Sequence, residues 1–112
     1  MKVRLFVKDE PYTKIQEGKK TIELRLDDEK RRLIEPGDII TFTHSDSFNR
    51  TIKAKVVRLH RFDNFKQLYK ELDLTLCGYA PKEKAKHTDM EEYYTPAELK
   101  KYGVVGIEFK LI

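Results

Sequence analysis

One cysteine, Cys77, is all the chain holds, so no internal disulfide can form and no cysteine pair exists to build a thiolate zinc site. A reducing compartment suits such a sequence. Long apolar runs are missing too. No stretch of eighteen or more apolar residues occurs, and residues 1 to 10 alternate charged with apolar side chains instead of forming a signal-peptide core. A soluble, cytoplasmic protein without membrane contact is therefore expected. His44, His60 and His87 lack HxxxH or HxxH spacing and a supporting carboxylate pattern, so no metal site is expected, and no cofactor motif is present. Nothing reads as a linker, a repeat or a low-complexity segment, and residues 1–112 are taken as a single domain. Folding a chain of this size removes roughly 65% of the surface the unfolded chain exposes, which supports a core without staples.

Charge is plentiful and mixed. Lys and Arg number 23 against 19 Asp and Glu, a net +4 that permits nucleic-acid contact without demanding it. The basic residues gather in 14–32 and 50–61 and the acidic ones in 89–98, so a cleft of two signs forms if these segments meet.

Val3, Leu5 and Val7 alternate with Lys2, Arg4 and Phe6, which predicts a half-buried strand. Asp9 is positioned to cap a short helix running through Pro11 and Ile15 to Glu17, with Gly18 at the left-handed position that ends it. The next strand places Ile22, Leu24 and Leu26 on one face and Thr21, Glu23 and Arg25 on the other. The run from Asp27 to Arg32 is charged throughout and predicts a solvated loop. Pro36-Gly37-Asp38 turns the chain into a strand from Ile39 to Thr43, and Ser45 to Asn49 turns it again. In the strand from Arg50 the apolar phase slips at Val56-Val57, the mark of a β-bulge that curls a sheet.

Asp63 is expected to cap a helix whose Phe65, Leu68, Tyr69 and Leu72 follow helical spacing. Residues 73–87 are irregular. Thr95-Pro96-Ala97-Glu98 has the form of a capping box opening a short helix that Gly103 closes, and Val105, Ile107, Phe109 and Leu111 alternate in a last strand. Strands joined by short turns favour antiparallel pairing over a doubly wound parallel sheet. The expected fold is α+β: a curved, partly closed small β-barrel of about five or six mostly antiparallel strands flanked by short helices.

Glu23 and Arg25 lie two apart on one strand face, roughly 7 Å along the backbone, with Thr21 beside them. From spacing alone the plainer reading is a solvent-facing strand carrying an exposed ion pair of little energetic weight. Lys20 sits where a glycine-ended helix meets the strand, which suits an anionic ligand or simply the helix dipole. Cys77 beside Gly78 reads as a small buried residue. Tyr93-Tyr94 either stack on bases or put one ring in the core and one at its rim. Lys53, Lys55 and Arg58 on the outer side of a strand either track a phosphate backbone or keep the sheet soluble.

As a set, Gly18-Lys19-Lys20-Thr21-Ile22-Glu23-Leu24-Arg25, then Pro36-Gly37-Asp38, then Tyr102-Gly103-Val104-Val105-Gly106-Ile107, resembles the ASCH (activating-signal-cointegrator homology) domain. The resemblance spans nearly the whole chain and implies a PUA-like barrel with a cleft beside the G-x-K-x-x-E-x-R strand. It also implies RNA binding or the handling of modified nucleosides, with Lys20, Thr21, Glu23, Arg25 and Tyr94 as ligand-binding residues. The chain also resembles, more distantly, small amidohydrolases that deacetylate N4-acetylcytidine. That likeness would give catalytic parts to Lys20, Glu23 and Glu92, but the position that carries a threonine in those enzymes is Glu23 here.

A carboxylate cannot replace a hydroxyl nucleophile, and beside Lys20 it favours the ammonium form and weakens the lysine as a base. Thr21 follows the lysine by one residue instead of three. Water activated by Glu23 or Glu92, with Lys20 or Arg25 holding an oxyanion, is the remaining hydrolytic route. The expected function is thus a module that binds RNA or a nucleotide. The alternative is a small hydrolase of a modified nucleoside or of single-stranded RNA.

Overall fold

The computed structural model describes residues 2–112. Five strands carry the architecture: β1 (Lys2–Val7), β2 (Ile22–Leu26), β3 (Ile39–His44), β4 (Ser47–Phe62) and β5 (Val104–Leu111). Three α-helices accompany them among the described residues, α1 (Asp9–Gln16), α2 (Phe65–Glu71) and α3 (Pro96–Tyr102). The spatial order of the strands is β1-β3-β4-β5-β2; the β1/β3 pair is parallel and the other three pairs are antiparallel. The result is a strongly curled half-barrel.

The curl comes from β4. Its first part, through Lys55, pairs with β3, and its second, from Ala54 to Phe62, pairs with β5, so one long strand joins two ladders. The register slips between Val56 and Arg58, where the sequence predicts the bulge, and a bulge sharpens the local twist.

Two apolar clusters sit on opposite sides of this sheet. The concave side holds Leu5, Val7, Ile40, Phe42, Val56, Ile107 and Phe109, with Tyr12 and Ile15 of α1 laid across them. Behind β2 and β5, Ile22, Leu24 and Val104 pack on Phe65 and Leu68 of α2. Burial of each such side chain contributes about 1.5–3 kcal/mol, which is why α2, only seven residues long, stays docked.

Several local expectations change. Lys8, not Asp9, occupies the α1 cap position; Asp9 is the first helical residue and its carboxylate instead meets His44 at 2.9 Å. Asn64, not Asp63, caps α2 by accepting from the Gln67 amide, since its extended backbone aims the short side chain back at that N–H. The charged run 27–32 is not wholly solvated. Asp27 is buried and ion-paired with Arg61 at 3.1 Å, and residues 31–33 form a 3₁₀ turn. The α3 capping box forms as expected, with reciprocal bonds between Thr95 and Glu98.

The Tyr102-to-Ile107 segment has a physical reason for both its glycines. Gly103 links α3 to β5 at φ +74°, and a Cβ there would lie 2.9 Å from the Phe62 carbonyl oxygen. Gly106 faces α2, where a Cβ would meet Leu72 at 2.9 Å and Ile22 at 3.1 Å.

Candidate functional site

Because β1 and β2 end the strand order on opposite sides, the half-barrel has a seam where their unpaired edges face one another. Arg25 spans it: its Nη2 donates to the Phe6 carbonyl of β1 at 2.7 Å. A side chain thus stands where a backbone ladder would close a full barrel.

The end of α1 delivers the chain to this seam. Gly18 takes φ +77°, and the amides of Lys19 and Lys20 both donate to the Lys14 carbonyl, so the helix stops and Lys20 is held at the mouth of β2. The amides of Thr21 and Ile22 then donate to the Leu76 carbonyl at 2.9 and 3.0 Å, which pins the segment after α2 against the start of β2.

The two faces of β2 divide as the alternation predicts, but the charged one does not face solvent. Directly opposed residues in a ladder project to the same side. Glu23 is opposite Ile107 and Arg25 opposite Val105, so the charged side chains point into the concave interior, while Ile22 and Leu24 point outward beneath α2. The solvent-facing ion pair suggested by spacing is therefore not what forms: Glu23 is 5% exposed.

A carboxylate so buried must be compensated. Lys20 Nζ lies 2.7 Å from one Glu23 oxygen, and the other accepts from Arg25 Nη2 at 2.8 Å and Nε at 2.9 Å. Burial, the largest single influence, raises the Glu23 pKa, but the charges of Lys20 and Arg25 and their hydrogen bonds together outweigh it and hold the carboxyl below its usual 4.5. Glu23 is ionised at neutral pH, and the triad carries a net charge of about +1.

Beside the triad opens a cavity of about 360 Å³. Phe6 to Lys8, Lys14 of α1 with its bond to the Gly78 carbonyl, and Cys77, Tyr79, Tyr93 and Tyr94 all line it. The Tyr94 ring stacks on Phe65 at 6.2 Å between centroids, and burial raises its hydroxyl pKa. Tyr93 is half exposed at the rim, with Lys8 Nζ 5.5 Å from its ring centre. Tyr69 and Tyr79 share a 2.6 Å hydrogen bond and Tyr79 donates onward to Asp89 at 2.9 Å; desolvation of both rings pushes Tyr69 up to about 12 and Tyr79 higher. Both hydroxyls are therefore neutral donors. Burial likewise pushes the Cys77 thiol to about 12, well above the thiolate range a nucleophile needs.

Of the residues singled out in the sequence, Lys20, Glu23, Arg25 and Tyr94 converge on this cavity. Thr21 and Glu92 do not line it. Thr21 serves through its backbone, and Glu92 is exposed on the 3₁₀ turn Glu91–Tyr93. Lys14, Tyr69, Tyr79 and the Phe6 carbonyl line it or bound it without having been legible. Lys14 carries a faint signal, one helical turn before Gly18; the tyrosines carry none, because only folding brings 69, 79 and 94 together. His44 hydrogen-bonds Asp9 at 2.9 Å and His60 hydrogen-bonds Glu108 at 2.8 Å, both between elements distant in sequence, while His87 only approaches Glu91, at 3.4 Å.

The class is thus set by an α+β half-barrel whose open seam is bridged by a buried cation–carboxylate–cation triad. The chain belongs to the ASCH domain family, whose profile matches residues 5–112. Over all of both chains it is similar to the hypothetical protein PH0355, known from a crystal structure, at 35% identity and a TM-score of 0.85. It is also similar to protein PF0455 from Pyrococcus furiosus, known from a solution NMR structure, at 30% identity and a TM-score of 0.74, covering 100% of this chain and 98% of that one. ASCH from Zymomonas mobilis shares the fold at 15% identity and a TM-score of 0.64, over 96% of this chain and 65% of that one. No curated protein matches the sequence.

Proposed function

We propose that the seam cavity binds one nucleotide unit, of RNA or of a modified nucleoside. The observation that carries this reading is a net-positive triad, Lys20, Glu23 and Arg25, set into the wall of an aromatic-lined cavity of about 360 Å³. That volume falls within the usual range for pockets that hold small ligands. Lys20 and Arg25 offer charge-assisted donors to a phosphate, and the Glu23 oxygen that accepts from Lys20 alone keeps a lone pair for a base amine or ribose hydroxyl. Tyr93 at the rim and Tyr94 within supply ring faces for stacking.

The same geometry favours binding over hydrolysis. A carboxyl held below 4.5 is a weak proton acceptor, position 23 has no hydroxyl, and Glu92 lies outside the cavity. Titration calorimetry with cytidine, cytidine monophosphate and N4-acetylcytidine tests the proposal, with turnover followed in parallel. The monophosphate should bind most tightly, and Lys20→Ala should weaken it by about tenfold, the weight of one charged hydrogen bond. Turnover of the acetylated nucleoside that vanishes in Glu23→Gln would overturn the binding reading in favour of a hydrolase.

A further inference from the structure

The outer surface of the sheet at its β1/β3/β4 end is not covered by any helix, and its composition is one-sided. Reading across the ladders, one row runs Lys2, Ile39, Lys55, Lys110 and the next runs Arg4, Thr41, Lys53. Arg58, just past the bulge, extends the array. All six basic residues are exposed, and none is in an ion pair among the described residues. Glu108, opposite Arg58, is taken up by His60 at 2.8 Å. Six positive charges exceed the net +4 of the whole chain, so the basic excess lies on this face and the rest of the surface is nearly balanced.

A third row, about 7 Å further along the strands, begins at Phe6. Phe6 is 49% exposed and Phe48 70%, and their rings meet edge to face at 5.8 Å. Large aromatic rings left in water beside a basic array match the two requirements of a single-strand binding surface, phosphate neutralisation and base stacking. Phe6 also joins this face to the seam, since it lines the cavity and its carbonyl holds Arg25.

We infer that the basic outer face of β1, β3 and β4 is a docking surface for single-stranded RNA, which passes over Phe48 and Phe6 to place one nucleotide in the seam cavity. Charge complementarity argues for a polyanion, the aromatic pair for unpaired bases. The choice of RNA rests on the nucleotide reading of the cavity; the face itself does not.

The test is fluorescence anisotropy of the full chain with a labelled oligouridylate of about ten nucleotides, against uridine monophosphate measured by calorimetry. Lys53→Ser/Lys55→Ser removes two exposed charges and should weaken the oligonucleotide at least tenfold, lowering the slope of log affinity against log salt by about 1.4. Phe48→Ala should weaken it about fivefold or more through lost stacking. Neither variant should change monophosphate binding. An oligonucleotide affinity unmoved by the double substitution overturns the surface even if the monophosphate binds. A drop in oligonucleotide affinity with no monophosphate binding upholds the surface and overturns the cavity reading instead. Tighter binding of the DNA counterpart, equal binding of heparin that Phe48→Ala leaves intact, or retention only on phosphatidylserine vesicles would each overturn RNA as the occupant.

Discussion

Glu23→Gln removes one negative charge from between two positive ones and keeps the shape of the side chain. In the wild-type triad the cation nitrogens sit on opposite oxygens of one carboxylate. Like charges at a separation on the order of 5 Å repel by roughly 3 kcal/mol at an effective dielectric of about 20. Breaking a buried pair from one side costs roughly 3–5 kcal/mol when the partner is sealed in. Lys20 and Arg25 keep 11% and 19% side-chain exposure and can lean toward water in the cavity, so the expected loss is smaller, about 2–3 kcal/mol. For a domain of this size that lowers the melting temperature by about 10 °C.

The pH dependence follows from the depressed Glu23 pKa. Between that depressed value and 4.5 the unfolded chain binds the proton that the folded chain does not, so the carboxylate stabilises the fold fully above 4.5 and progressively less as pH falls toward its folded value. Urea denaturation of both proteins at neutral pH and across the acid range measures this. The wild type should lead clearly at pH 7, and the lead should shrink below 4.5. A variant within about 0.5 kcal/mol of wild type at pH 7, or a gap that acid leaves unchanged, would refute the account of Glu23 as a charge-compensated buried anion.

Gly103→Ala should cost about 2–4 kcal/mol in denaturant midpoint analysis, combining a positive φ with contact against the Phe62 carbonyl; Gly37→Ala, at φ +93° with nothing near its Cβ, should cost only about 1–2. Thr95→Ala removes the α3 cap and should cost about 1 kcal/mol by the same assay without altering ligand binding. Native Cys77 should react with iodoacetamide at pH 8 on the order of a hundredfold more slowly than the urea-unfolded chain, measured by intact mass, because burial lifts its pKa to about 12.

Much of the fold was legible because its signals are local. Alternation marked β1 and β5, the phase slip at Val56-Val57 marked the bulge, and Gly18 and the Thr95–Glu98 box marked helix ends. Near misses came where two residues compete for one role within a residue of each other: Asp9 and Lys8, Asp63 and Asn64. Choosing between them takes backbone angles that a one-dimensional pattern does not contain.

β2 was harder, because alternation says that two faces differ but not which one is inside. A strand with a helix behind it and a barrel in front buries both, and the rule that charges face water then fails for Glu23. The same limit hid Asp27, whose partner Arg61 is thirty-four residues away.

The sequence by itself determined the order and approximate place of most strands and helices, though β4 begins at Ser47, inside the stretch read as a turn, and it put Lys20, Glu23 and Arg25 together because they lie within six residues at the start of one strand. Only the tertiary structure decided that this place is the interior of a seam. It also brought Phe6, Tyr79 and Tyr94 to the same cavity and left Lys2, Arg4, Lys53 and Lys55 together on an open face. The reason is that strand order, which sets who meets whom across the sheet, follows from burying two apolar clusters at once, a condition on the whole chain that no short segment expresses.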